Sequence, residues 1–543
     1  MKNYHKLHKI INQKILVLDG AMGTMIQSYQ FKENDYRGQL FRKHPIDLKG
    51  NSDVLNLTQS DAIKAIHRAY LDAGADIIET NTFNGTEISQ REYGLQHKVN
   101  EMNFRGAQLA RQALDQYLIE FPSEQKFVCG SMGPTSTTAS LSPDVMRPAH
   151  RTITFDELYD AYKNQAENLI KGGVDVLMVE TIFDTLNAKA ALMAIQDYKQ
   201  ENNINIPVMA SVTVSDGSGR TLSGQTLEAF WTSIRHFDLF SVGLNCSFGV
   251  ELLKPYLRTF NKLAETRISI HPNAGLPNIM GEYDDSPRYM AESIADFAQE
   301  GWVNIVGGCC GSTPKHISAI KKAVENLNPR PLPSKNHTSV LSGLERLFLD
   351  ESSNFFNIGE RTNIAGSSQF KKLLKNNDFE KASNVARQQI ENGAQIIDIN
   401  VDDDLLDGLT TMETLIRTFS SDPAVARVPF MIDSSNWEII ECALKNIQGK
   451  TIVNSISLKD GEEAFLEKAR RAKKFGAAVV VMAFDEKGQA DTYEKRVAIC
   501  KRAYELLVNQ INFLAEDIIF DVNVFAIATG IPEHDHYAKD FIE

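Results

Sequence analysis

Fourteen short apolar runs, each separated from the next by a longer stretch, most with helical spacing, constrain this chain more than any other feature. Eight lie in the first 311 residues: KILVLDG (14–20), ADIIETN (75–81), KFVCGSMGP (126–134), VDVLMVET (174–181), IPVMASVTV (206–214), LFSVGLNC (239–246), RISIHPNAG (267–275) and VNIVGGCCG (303–311). Between them the apolar residues recur at helical intervals; in TQSDAIKAIHRAYLDAG, Ile63, Ile66, Ala69, Tyr70 and Ala73 share one face. Runs that are apolar almost throughout belong to parallel strands covered on both sides. Eight of them alternating with helices predict a closed (β/α)8 barrel.

Three segments echo one another. AGADIIETN, GGVDVLMVET and NGAQIIDIN each pass from a glycine through a short apolar run to an acid: Gly74 to Glu79, Gly173 to Glu180 and Gly393 to Asp398. Glycine ends a helix by adopting the left-handed conformation. The acid then falls at the C-terminal end of the strand, the end at which such barrels keep their chemistry.

The pattern breaks at NPRPLPSKNHTS, where Pro329, Pro331 and Pro333 remove backbone donors. The expected domains are therefore a barrel over 1–328, a linker over 329–354 and a second barrel over 355–543. Its six runs are FFNIGERTN (355–363), QIIDINVD (395–402), VPFMIDSS (428–435), KTIVNSIS (450–457), AAVVVMAFD (477–485) and DIIFDVNVF (517–525). Closing that barrel takes two more units of about 30 to 40 residues, so the second barrel is expected to be incomplete and the chain to be a fragment of a longer one.

Composition excludes several classes of function. The 543 residues are 43% hydrophobic and 23% charged, ordinary globular values. A net charge of −13 without a Lys/Arg block argues against a nucleic-acid partner. The N-terminus lacks the apolar core of a signal peptide, and no run reaches the roughly 20 apolar residues of a membrane span. A cytoplasmic location is expected. Six cysteines in so long a chain do not make a disulfide framework.

Three of those cysteines stand at strand ends. Cys246 ends the sixth run and Cys309-Cys310 the eighth, so a closed barrel directs all three to one mouth. Neighbouring residues of a strand point to opposite faces, so Cys309 and Cys310 share a ligand only where the chain has begun to turn; Gly307, Gly308 and Gly311 permit that. Three thiolates suit a tetrahedral zinc with one position open for substrate. Buried apolar thiols and a vicinal disulfide are the alternatives, the second needing an oxidising compartment. Cys129, Cys442 and Cys500 read as small hydrophobes.

The segments LDGAMGT, IETNTFNG, GSMGPT, ETIFDTLNAKAAL, GLNCS and GGCCGSTPKHI, in this order over residues 15–320, resemble the homocysteine-binding barrel of the cobalamin-dependent methionine synthases. The betaine-dependent homocysteine methyltransferases share the cysteine trio and the DG opening. NIGERTN, IIDIN, MIDSS, IVNSIS and FDVNVFAIATG resemble the pterin-binding barrel that follows in the methionine synthases. The resemblance implies zinc on Cys246, Cys309 and Cys310. It implies that Asp19 and Glu180 hold the amino group of homocysteine, with the backbone around Gly20, Ala21, Met22 and Gly23 taking its carboxylate. Read singly, either acid could equally be a helix cap or half of a surface pair. Glu79, Asn81, His271 and Asn273 line the mouth without an assigned role.

In the second barrel the resemblance assigns Asp433, Asn454 and Asp521 to the pterin, with Asn454 close to N5 and Asn523 beside the site. Asp398, Glu360, Arg361 and Asn363 stand behind them. A buried carboxylate can accept from the donors of a pyrimidinone edge, while an asparagine both donates and accepts. Asp433 could instead cap the helix that follows it. VDDDLLDG (401–408) does not follow the spacing of a calcium-binding loop and reads as a solvated turn.

The implied activity is methylation of homocysteine by methylcobalamin, itself remethylated by 5-methyltetrahydrofolate. The cobalamin would be carried by a further domain, since no D-x-H-x-x-G motif occurs and HDHYAKD has the wrong spacing. A homocysteine methyltransferase using betaine or S-methylmethionine, and a non-catalytic folate-binding fragment, are the rival readings.

Overall fold

In the computed structural model, which describes residues 2–277, 283–334, 337–350, 352–526 and 529–543, a strand forms at each of the fourteen apolar runs. β1 (Leu16–Val17), β2 (Ile77–Glu79), β3 (Phe127–Met132), β4 (Val176–Ile182), β5 (Val208–Val212), β6 (Ser241–Gly249), β7 (Arg267–Asn273) and β8 (Ile305–Val306) form one parallel sheet. β1 pairs with β8, and a parallel bridge between Leu18 and Ile77 joins β1 to β2, which closes the ring. Gly74, Gly173 and Gly393 carry φ of 98°, 99° and 100°, the left-handed helix endings that the echo predicts.

The interior of the ring is filled by Leu16, Leu18, Ile77, Phe127, Cys129, Val176, Met178, Met209 and Ile305, on which Leu7 and Ile11 from the N-terminal helix region pack. Cys129 is fully buried there, as a small apolar residue should be.

Past residue 329 the chain is more ordered than its prolines suggest. Arg330 is buried, its guanidinium bonding the carbonyls of Asn261, Ala264 and Thr266 and the side chain of Asn261. β9 (Ser339–Ser342) and β10 (Arg346–Leu349) then form an antiparallel hairpin. Residues 335, 336 and 351 of this stretch lie outside the described residues, as do 527 and 528 of the last pterin-like motif.

The second parallel sheet runs β11 (Ile358–Gly359), β12 (Ile396–Ile399), β13 (Phe430–Asp433), β14 (Ile452–Ile456), β15 (Ala478–Met482) and, after a small hairpin of β16 (Phe484–Asp485) and β17 (Gly488–Gln489), β18 (Ile518–Asp521). Ile396, Met431, Ile452, Ala478 and Val480 pack together with Leu341 of the β9–β10 hairpin. The fold is thus α/β with two barrel-type sheets, the first of eight strands and the second of six. The chain divides into two compact units: Met1–Ala139, Thr152–Ser223 and Phe237–Lys335 form one, and Ser140–Arg151, Gly224–His236 and Asn336–Glu543 the other.

The acidic run 401–408 is the expected solvated loop, exposed at Asp404, Leu405 and Asp407, and three of its acids are also engaged. Asp402 accepts from Ser434 and Ser435, Asp403 pairs with Lys371 and Lys375, and Asp407 caps the helix Gly408–Ser420. Each of these three acids has a structural partner.

Candidate functional site

At the C-terminal mouth of the eight-stranded ring, the sulfurs of Cys246, Cys309 and Cys310 lie within 4.8 Å of one another, with Cys246 and Cys310 at 3.9 Å. No disulfide joins any of the six cysteines. Thiolates about 2.3 Å from a tetrahedral zinc stand about 3.8 Å apart, so this donor set has the dimensions and the softness for zinc.

Backbone turns create that convergence. Cys246 and Ser247 have φ of 60° and 59°, a left-handed pair worth about 1–3 kcal/mol of strain per residue for non-glycines. Beyond β8, Cys309 N–H bonds the Pro272 carbonyl at 2.7 Å, and the Cys310 carbonyl accepts from Ala274 N–H at 2.9 Å. Gly311 completes the turn at φ 80°, where a Cβ would stand 2.3 Å from that of Tyr283. Gly308 serves differently from expectation: its φ is not left-handed, but a Cβ would meet the Ser312 hydroxyl at 2.5 Å. One thiol ionises most easily: hydrogen bonds from Cys246 and Cys309 push Cys310 down, and their counterparts from Cys246 and Cys310 push Cys309 up.

Beside the sulfurs lies a buried acidic cluster. Asp19 Oδ2 accepts from the Glu79 N–H at 2.9 Å, and its Oδ1 is buried without a partner. Glu180 is buried and accepts from the Ser131 hydroxyl. Ligand atoms of Glu79, Glu180 and His271 lie within 4.8 Å of one another. Glu79 Oε1 and both ring nitrogens of His271 are buried and unpartnered.

Burial pushes all three acids up, Glu180 to about 7, and Asp19 and Glu79 rise further against the charge of Glu180. Burial also pushes His271 down to about 4, so it is neutral at pH 7 and offers no countercharge. A ligand ammonium is the group this arrangement lacks. Neither of the predicted acids is a cap: Asp184 caps the helix Thr185–Glu201, and Ala21 stands at the N-cap of the helix Met22–Ser28.

The backbone expected to take a carboxylate is partly committed. Ala21 N–H bonds the Ser312 hydroxyl at 3.1 Å, and Gly20 is crowded by Ser312 and Tyr70, while nothing lies within 4 Å of a Cβ at Gly23. Met22 and Gly23 open the helix, where amides lack intrahelical partners.

In the six-stranded sheet, Asp433 and Asn454 are register partners on β13 and β14. One Asn363 amide nitrogen bonds Asp398 and Asp433, each at 2.8 Å, and Asn400 adds a second bond to Asp433 at 3.1 Å. Burial raises the Asp433 carboxyl and pushes Asp398 up to about 7. Asn436, rather than Asp433, caps the next helix. Asp521 is exposed at the end of β18, its Oδ1 accepting from Asn523 N–H at 2.9 Å. Asn523 is buried and donates to the Ala483 carbonyl at 2.7 Å.

Glu79 and His271 therefore join a site that sequence reasoning left them lining. Their strand-end position was visible; their unpartnered burial was not. Asn400, in IIDINVD, was missed altogether, although it ends a strand one residue beyond the Ile399 that closes β12.

Two family models match this chain. Homocysteine S-methyltransferase covers residues 16–324 and pterin binding enzyme covers 359–543. Among solved structures, the homocysteine methyltransferase MmuM from Escherichia coli in its oxidized form matches at 21% identity and a TM-score of 0.45, over 57% of this chain and 95% of that one. Its metallated form matches at the same identity and TM-score over 59% and 99%. No helix among the described residues is long and apolar enough to cross a membrane.

Proposed function

The chain belongs to the homocysteine S-methyltransferase family, with a pterin-binding domain behind that region, and from this premise we propose that it is the substrate-binding part of a cobalamin-dependent methionine synthase. The observation that carries the reading is the trio of sulfurs beside two buried acids, Asp19 and Glu180, and the half-buried Glu79 at one barrel mouth.

Zinc held by Cys246, Cys309 and Cys310 would keep the homocysteine sulfur deprotonated near neutral pH. Asp19 and Glu180, with Glu79 as a third carboxylate, hold the ammonium, and the Met22 and Gly23 amides take the carboxylate. Holding the amino-acid head at these groups and the sulfur at the metal would fix both ends of homocysteine and remove the orientational cost of transfer. In the second unit Asp433 and Asn454 bind the pyrimidinone edge of 5-methyltetrahydrofolate, while Asp521 and Asn523 complete the site. Tetrahydrofolate leaves only once N5 is protonated, so polar groups must face N5, Asn454 among them. The methyl donor is methylcobalamin, presented by a cobalamin-binding domain and replenished from the folate.

The test is methyl transfer from free methylcobalamin to homocysteine, with zinc content measured on the same samples. Wild type should hold about one zinc per chain, and Cys310→Ser should lose it together with about a hundredfold or more in rate. Equal zinc and equal rate in the two proteins would sink the metal mechanism. Turnover with betaine or S-methylmethionine in place of methylcobalamin would move the protein to the cobalamin-independent class.

A further inference from the structure

Asn245, the residue before Cys246, is fully buried and ties together three strand ends of the first barrel. Its Oδ1 accepts from the Thr181 backbone N–H at 3.0 Å and from the Ser211 hydroxyl at 2.8 Å. A backbone N–H can only donate, so that contact fixes which side-chain atom is oxygen and which is nitrogen. The nitrogen then faces the Thr181 hydroxyl at 2.8 Å and the Cys309 sulfur at 4.0 Å. The sulfur contact is long for a neutral thiol, and such contacts shorten when the acceptor carries charge. Thr181 follows Glu180, so this single amide spans the ammonium end and the sulfur end of the site.

We propose that Asn245 is a positioning residue: its amide N–H is aimed at the Cys309 thiolate, and its oxygen holds the strand end that carries Glu180. It thereby sets the spacing between the metal-held sulfur and the group that binds the substrate amine. The proposal rests on the reading of the three cysteines as metal ligands.

Cobalt(II) substitution tests it, because thiolate-to-cobalt absorption reports the sulfur donors directly. Asn245→Asp keeps the size and the acceptor toward Thr181 but replaces the N–H by an oxygen next to the sulfur. It should shift the charge-transfer band and weaken zinc, measured by competition with a chelator, by about 10- to 100-fold. Asn245→Ser should do the same if the aspartate variant does not fold. Ser211→Ala removes only a hydroxyl on the far side of the amide and should leave the band in place. An unshifted band and unchanged zinc affinity in a folded Asn245 variant would overturn the proposal. Absence of any thiolate-to-cobalt band in wild type would overturn the metal reading beneath it.

Discussion

The two parallel sheets share an architecture and differ in what they place at the same end. In the eight-stranded ring the strand ends carry sulfur and carboxylates with unpartnered oxygens. In the six-stranded sheet asparagine amides already hold one oxygen of each carboxylate: Asn363 and Asn400 bond Asp433 Oδ2, and Asn363 also bonds Asp398 Oδ2, while Asp398 Oδ1 is buried without a partner. The first site is short of positive charge. The second is a hydrogen-bonding frame. A cation and an ammonium suit the one; a flat heterocycle with its own donors suits the other, because it can exchange partners with amides without bringing charge. One scaffold therefore hosts two chemistries through the residues at its strand ends alone.

If the two ends are independent, breaking the second should leave the first intact. Asp433→Ala removes a half-buried acceptor for a pyrimidinone donor and should weaken 5-methyltetrahydrofolate binding by about 10- to 100-fold, since a hydrogen bond to a charged group is worth about 1.5–3 kcal/mol. Titration calorimetry with the folate measures it. Zinc content and the rate with free methylcobalamin should not change; a loss of zinc in this variant would end the comparison.

The division into two sites was legible in the sequence, because strand position is a periodic signal and strand ends follow from it. The turn at Cys246 and Ser247 was not: nothing in GLNCS announces two left-handed non-glycine residues, since that conformation is imposed by the packing around it. Glycines were easier to locate than to explain. Gly311 serves as the turn residue that its type suggests, whereas Gly308 is dictated by the Ser312 hydroxyl four positions on, a constraint visible only in space. The role of Glu79 was hidden for a similar reason. An acid at a strand end is common, and only the unpartnered oxygen beside Glu180 distinguishes this one.

The charge deficit of the first site can be isolated from its sulfur chemistry. Homocysteine and 4-mercaptobutyrate differ by the amino group, so a variant that damages only the ammonium site should affect one and spare the other. Glu180→Gln should raise KM for homocysteine about tenfold, the value of one charge-assisted hydrogen bond at the lower end of its range, with kcat and the KM for 4-mercaptobutyrate little changed. Glu79→Gln should act in the same direction. Parallel losses on both thiols would mean that these acids support the sulfurs rather than the amine.

The smallest effect tests the protonation of Asp398 in the second site. Asp398 is 3% exposed, and burial pushes its carboxyl up to about 7 from an ordinary value near 3.8. A folded-state value raised above the unfolded one contributes stability that is complete below about pH 4 and is lost as pH rises through about 7. The loss is bounded by about 1.4 kcal/mol per pH unit over that interval. Asp398→Asn keeps an oxygen to accept from Asn363 and never ionises. Calorimetric melting should therefore show the variant within about 2 °C of wild type at pH 4 and several degrees above it at pH 8, consistent with the few degrees that about 1 kcal/mol moves a domain of this size. Identical pH dependence in the two proteins would mean that the Asp398 carboxylate is compensated in the fold.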